Sequence, residues 1–478
     1  MSATRNISIY YKYIYIRKDL SMKKTPAYVL FIAFVAALGG ILFGYDTAVI
    51  SGTTEIVGRQ FGLSDLNVGW YVGCALIGSI FGVTVAGSLS DYLGRKLTMF
   101  ISAVLFSVSA IGCAVCGGFS ALVAYRIIGG IGIGVVSIVS PIYISEISPA
   151  SHRGRLVSLY QLAVTVGFLL AYLANWLIDK NAGASADASL WARMFNSESW
   201  RGMLGSETVP ALLFLLIIPF IPESPRWLIT RGRAGKATSI LTRIYGDPDE
   251  AERQAGLTSE SLRNENKGEW KALLSRGMLI AVLAGSAIAI LGQFMGVNAV
   301  LYYGPKIFQD AGFDNPMFST VLVGVVNMLT TVLAVFIIDR VGRKKLIYWG
   351  VSGMIVCLLC IGIYFAWGDA LSLGNGFLLT FFLAYVFCCA ISISAIVFVL
   401  LSEMYPNRVR GRAMSIAGLA LWVGTYLIGQ LTPVLLGWSP AGTVFIFAAM
   451  CVPYMLIMWK VIPETTGKTL EEIEEYWS

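Results

Sequence analysis

Apolar residues in this chain fall in long blocks, separated by short polar stretches, from Tyr28 to Ile462. A block of about 20 apolar residues is long enough, as a helix, to cross the hydrocarbon core of a bilayer. A helix is also the form in which such a segment satisfies all of its backbone polar groups without water. The pattern predicts twelve such spans, at 28–50, 67–89, 97–117, 120–143, 157–179, 202–221, 278–303, 317–338, 346–367, 376–401, 412–436 and 441–462. Residues 222–276 break the series with charges of both signs at helical spacing, as in Ala234 to Tyr245, and predict short amphipathic helices. The organisation read from the pattern is a polar extension (1–27), six spans (28–221), a helical linker (222–276), six more spans (277–462) and a tail (463–478). Residues 1–21 read as dispensable, with Met22 an alternative start.

Composition agrees and removes the soluble classes: 56% of residues are apolar, 13% are charged, and mean hydropathy is +0.72. A net charge of +7 would fit a nucleic-acid partner, but the placement of the charge argues for a lipid bilayer instead. The extension and the loops after even-numbered spans carry most of the basic residues. Loops after odd-numbered spans hold only Arg59, Lys180, Arg193, Arg201 and Lys306. By the positive-inside rule both termini and the linker are expected in the cytoplasm. All 8 cysteines fall in apolar segments. Cys113/Cys116 and Cys357/Cys360 have CxxC spacing, but without further ligands nearby they read as small packing residues, and no metal or cofactor is expected. His152, the only histidine, is given no catalytic role.

The chain repeats itself in parallel. Asp91, Gly94, Arg95 and Lys96 after the second span return as Asp339, Gly342, Arg343 and Lys344 after the eighth. Glu146, Pro149, Arg153, Gly154 and Arg155 after the fourth return as Glu403, Pro406, Arg410, Gly411 and Arg412 after the tenth. Pro222 and Glu223 after the sixth match Pro463 and Glu464 after the twelfth. In transporters built this way the substrate lies between the repeats near the bilayer midplane.

Three residues could carry ion chemistry: Asp46, Arg126 and Glu207 all lie inside spans. A charge at the centre of a membrane helix costs about 2.5–3.5 kcal/mol on insertion scales, so such residues are functional candidates by default. A guanidinium beside a buried carboxylate favours its charge, and withdrawal of that partner favours its proton. A static ion pair that only orients helices is the alternative. Gln161, Gln293 and Asn298 are amides in apolar helices, suited either to hydroxyl-rich ligands or to bonds between helices. Gly130 with Gly134, and Gly78 with Gly82, fit small-xxx-small helix packing rather than a phosphate loop.

The motifs DYLGRK (91–96), SEISPASHRGR (145–155), PESPRW (222–227), QFMGVNAVLYY (293–303) and PETTGKTLEE (463–472) resemble the sugar porter family of the major facilitator superfamily, across nearly all of Tyr28 to Trp477. LFGYDTAVISG (42–52) and YRIIGGIG (125–132) are most similar to the bacterial proton-coupled D-xylose symporters. The resemblance implies an all-α membrane protein of twelve helices in two six-helix repeats with a cytoplasmic helical linker. It implies a multi-pass, monomeric protein of the bacterial inner membrane that carries a monosaccharide with protons by alternating access. A facilitative carrier, or a sensor that binds sugar without moving it, remains open; a membrane enzyme finds no nucleophile–base or metal constellation. Asp46, Arg126 and Glu207 fall on proton-coupling positions. Phe43, Gln161, Gln293, Asn298, Tyr302, Asn327, Phe398 and Trp422 fall on sugar-binding ones. Asp91, Arg95, Glu146, Arg153, Glu223, Asp339, Arg343, Glu403, Arg410 and Glu464 form the expected cytoplasmic gate, with Asp91 set against Arg95, Glu146 against Arg153, Asp339 against Arg343 and Glu403 against Arg410, in networks that bridge the repeats when that side closes. Gly292, Leu421, Phe398 and Phe168 depart from the xylose pattern, and SISAIVF (392–398) lacks the usual Gly and Pro, so a different pentose, a hexose or a modified sugar is compatible.

Overall fold

The computed structural model describes residues 27–149, 152–183, 193–265, 275–405, 409–465, 472–473 and 476–477; the predicted extension lies outside them. Every regular element among them is helical. Twelve helices are long and apolar enough to cross a membrane: Ala27–Phe61, Asp65–Leu93, Arg95–Val115, Phe119–Ile147, Arg153–Asn181, Ser199–Phe220, Gly277–Asp310, Pro316–Ile338, Arg343–Trp367, Asn375–Met404, Arg410–Trp438 and Pro440–Lys460. They are numbered in that order below. Three shorter helices, Pro225–Thr230, Ala234–Tyr245 and Pro248–Glu265, lie among the described residues of the linker.

The first span runs well past the predicted end at Ile50. Its polar residues do not stop it, because Ser51 Oγ and Thr53 Oγ1 donate back to Ala48 O and Ile50 O at 2.7 and 2.9 Å. A hydroxyl that caps its own helix carries no unsatisfied group into the apolar interior. Turns are set by local chemistry. Ser64 and Ser439 cap the second and twelfth spans through Asn67 N (3.4 Å) and Gly442 N (3.0 Å). Gly94 and Gly342 make the same sharp corner before the third and ninth spans at φ 95° and 96°, a region that favours glycine.

Three spans are interrupted. The sixth breaks at Glu207, between Ser199–Ser206 and Thr208–Ile217. Pro210 explains the break, since it has no N–H to offer the carbonyl of Ser206 one turn back. The seventh breaks between Phe294 and Val297, where Gly296 has φ 92°. The tenth passes through a π turn at Ala390–Ser394. The tenth span therefore bends where its sequence lacks Gly and Pro, by the insertion of a turn instead. Tyr385 OH, from the helix that leads into this π turn, donates to Met295 O at the break of the seventh span at 2.7 Å.

Glycine draws the second and fourth spans into close contact. A Cβ on Gly130 or Gly134 would land on the carbonyl oxygens of Ala75 and Ser79, and one on Gly78 or Gly82 on those of Ile127 and Ile131. Arg243 of the linker lies over the Tyr28 ring, 4.3 Å from its centroid, so the linker sits at the start of the first span. On the opposite side, hydrogen bonds join the first six spans to the last six. Gln430 Nε2 donates to Leu66 O (2.9 Å), Gln309 Nε2 to Glu55 Oε1 (2.8 Å) and Tyr172 OH to Leu301 O (3.0 Å).

Candidate functional site

Asp46 lies midway along the first span and is 2% exposed; Arg126, from the fourth, is 3% exposed, and its Nη1 donates to Asp46 Oδ1. Gly129, one turn after Arg126, lets the third span pack close to this turn: a Cβ there would stand 2.5 Å from Ser109 Oγ. Glu207, also buried, sits at the break in the sixth span, close enough to interact with both Asp46 and Arg126. Among the described residues Arg126 Nε and Glu207 Oε1 find no hydrogen-bond partner. Two carboxylates in contact beside one guanidinium carry a net negative charge when both are ionised, and a single proton neutralises the group. The cluster can therefore hold and release a proton.

A cavity of about 10 Å³, room for a single water, is lined by Asp46, Thr47, Arg126, Tyr302 and Trp422 together with apolar residues of the first, second and fourth spans. Tyr302 and Trp422 come from the seventh and eleventh spans, so residues from both sets of six meet at Asp46. Phe43 lies one turn before Thr47 and faces Trp422, with ring centroids 5.7 Å apart. Beside them Gln293 Oε1 accepts from Asn298 Nδ2 (2.5 Å) across the break of the seventh span and from Thr425 Oγ1 (3.2 Å). Thr425 was not anticipated; the signal in the sequence is its position one turn after Trp422 on the same helix. The remaining sugar candidates are placed apart from the Asp46 cavity. Gln161 is half-buried in the fifth span, Asn327 is buried in the eighth, and Phe398 is 51% exposed in the tenth, after the π turn.

On the linker side the charged motifs build two matching networks. Arg95 makes a paired bond to Glu146, Nε to Oε2 at 3.0 Å and Nη2 to Oε1 at 3.1 Å, and reaches Asp91 Oδ1 at 3.0 Å. Ser224 Oγ donates to Glu146 Oε2 (2.5 Å), and Glu223 Oε1 accepts from Arg95 N (3.0 Å) and Ser224 N (2.7 Å). Burial pushes the Glu223 carboxyl above the usual glutamate range, against the pull of these amides. In the second network Arg343 Nη2 donates to Glu403 Oε1 (2.9 Å), Thr465 Oγ1 to Glu403 Oε2 (2.5 Å), and Glu464 Oε1 accepts from Thr465 N (3.1 Å).

Two pairings expected for a closed linker side are not the ones made in this structure. Glu146 is taken by Arg95 rather than by Arg153, which is exposed, and Glu403 by Arg343 rather than by Arg410, whose Nε goes to Tyr405 O at 3.2 Å. The reason is geometric. Arg95 and Arg343 begin a helix at a glycine corner, from which each reaches the acid of the neighbouring helix end, whereas Arg410 spends its Nε on the Tyr405 carbonyl. The side chain of Asp339 lies outside the described residues. The bonds just described each lie within one set of six spans and the segment that follows it.

A twelve-span helical protein with a buried acid–guanidinium cluster where its two sets of six meet belongs to the major facilitator transporters. A family profile described as "Sugar (and other) transporter" matches residues 32–477, and the chain belongs to that family. It is 38% identical to the D-xylose-proton symporter of Escherichia coli (strain K12), over 96% of this chain and 97% of that one. It is 37% identical to the arabinose-proton symporter of Bacillus subtilis (strain 168), over 94% and 95% of the two chains. The inward open structure of the xylose transporter XylE from E. coli superimposes with a TM-score of 0.81 at 37% identity, covering 94% of this chain and all of that one. The protein is a multi-pass transporter of the bacterial inner membrane and not an enzyme.

Proposed function

We propose that the chain is a proton-coupled monosaccharide symporter, with the proton on the Asp46–Glu207 pair and the sugar between the two sets of six spans. The observation that carries this reading is that the acid cluster opens onto the cavity lined by Tyr302 and Trp422. Sugar hydroxyls donate and accept, which suits Gln293, Asn298, Thr425 and Tyr302, while sugar C–H faces suit Phe43 and Trp422. Gln161 and Asn327 complete the site when the spans close on a substrate, and Phe398 swings toward it from the tenth span. The relatives' names, one a xylose and one an arabinose symporter, support a monosaccharide. The linker side is assigned to the cytoplasm from the charge map, which makes this an inward-facing state. Hydrogen bonds close the far side, and the likeness to an inward open structure supports the same reading.

Because Asp46, Arg126 and Glu207 all ride on the first six spans, rigid rocking leaves Arg126 beside Asp46 throughout the cycle. What changes is the cover that Tyr302 and Trp422 provide, and with it the access of water to the pair. The test is uptake of labelled pentoses and hexoses into membrane vesicles with and without an imposed proton gradient. Accumulation driven by the gradient is expected; equilibration indifferent to it would indicate a facilitative carrier, and binding without uptake a sensor. Asp46→Asn is expected to lose accumulation while sugar exchange continues, and full accumulation by that variant would overturn the assignment.

A further inference from the structure

One hydrogen bond beside the acid pair has no part in the chemistry so far. Tyr45 OH lies 2.7 Å from Ser206 Oγ, and these two residues immediately precede Asp46 and Glu207 in sequence. Ser206 Oγ donates its only proton to Met203 O at 2.5 Å, so Tyr45 is the donor to Ser206. Tyr45 is 5% exposed, so water offers no ready substitute for this bond. The sixth span is interrupted here, and Glu207 Oε1 has no hydrogen-bond partner among the described residues to fix it. The Tyr45–Ser206 bond therefore joins the first span to the last residue before the break. Neighbouring residues on a helix point about 100° apart, so fixing Tyr45 against Ser206 sets both the rotation and the height at which Asp46 meets Glu207.

We infer that the Tyr45–Ser206 hydrogen bond is a positioning latch that holds Asp46 and Glu207 in contact and thereby sets how tightly the pair binds its proton. The inference rests on the proton-coupling reading above. The groups facing the pair are Arg126 from the fourth span, Tyr71 and Cys74 from the second, Cys113 from the third and Tyr302 from the seventh. Tyr71 is already engaged, its OH 2.9 Å from Thr53 Oγ1, and none of these groups links the first span to the sixth.

The latch is tested by infrared titration of the full-length protein in lipid, which follows the C=O band of protonated carboxyl groups. The part of the band lost in Asp46→Asn and Glu207→Gln is assigned to the pair. Tyr45→Phe is expected to move the midpoint of that band about one unit to lower pH, a tenfold weaker hold on the proton. Ser206→Ala is expected to do the same, the double variant no more than either, and Ser206→Thr to restore the original midpoint. A merely structural role would lower yield or thermal stability in these variants and leave the midpoint in place. A wild-type midpoint in Tyr45→Phe overturns the latch; should that variant not fold, the contrast between Ser206→Ala and Ser206→Thr decides instead. Failure of the coupling reading is distinct: the wild type would show the titrating band and no gradient-driven accumulation of labelled D-xylose or L-arabinose.

Discussion

At the scale of residues, the structure turns on three buried charges. Removing one member of a buried pair leaves the other uncompensated, which costs about 3–5 kcal/mol, whereas removing both is often nearly neutral. Arg126→Leu is therefore expected to lower thermal stability sharply, measured by unfolding of the purified protein in detergent. Arg126→Leu combined with Asp46→Asn and Glu207→Gln should recover most of the loss. The sequence marked all three residues, because a charge inside an apolar block is conspicuous. It could not say that Glu207 touches Asp46, since that contact depends on a helix break fixed by Pro210 and on the placement of the sixth span beside the first. Thr425 was missed because a threonine in an apolar helix is ordinary; only its bond to Gln293 distinguishes it.

At the scale of elements, close backbone approach decides the packing. Gly130→Ala would force its Cβ onto the Ala75 carbonyl and push the second and fourth spans apart, carrying Arg126 with them. A loss of about 1–3 kcal/mol is expected, as for other overpacked sites. Gly418→Ala, in the eleventh span, meets open space and is expected to be neutral or to stabilise by about 0.5–1 kcal/mol, since alanine is the better helix former. Thermal unfolding of the two variants side by side checks both. The small-xxx-small spacing was visible in the sequence. The breaks in the seventh and tenth spans were not, because Gly296 sits in a run that reads as continuous helix and the π turn at Ala390–Ser394 has no residue signature of its own.

At the scale of the whole molecule, closure on the side away from the linker rests on a few bonds between the two sets of six, and an alternating-access cycle must break them. A cysteine pair at Leu66 and Gln430 is expected to cross-link in this state and to stop transport of labelled sugar, with reduction restoring it. Uninterrupted transport by the cross-linked protein would show that this contact does not open. The charged networks on the linker side are staples within each set of six. Their repeat from Arg95–Glu146–Ser224 to Arg343–Glu403–Thr465 shows the two sets built on one plan.

The sequence by itself determined twelve spans, a polar helical linker, a parallel repeat, and the residues whose charge is costly in a membrane. Each of these follows from transfer free energy and from local spacing, which are properties of a segment considered alone. Tertiary structure alone decided the partners: Glu146 with Arg95, Glu403 with Arg343, Glu207 with Asp46, and Tyr45 with Ser206. Pairing depends on how helices distant in sequence are rotated against one another. That rotation is fixed by glycine contacts, helix breaks and packing across the whole bundle, none of which a single segment records.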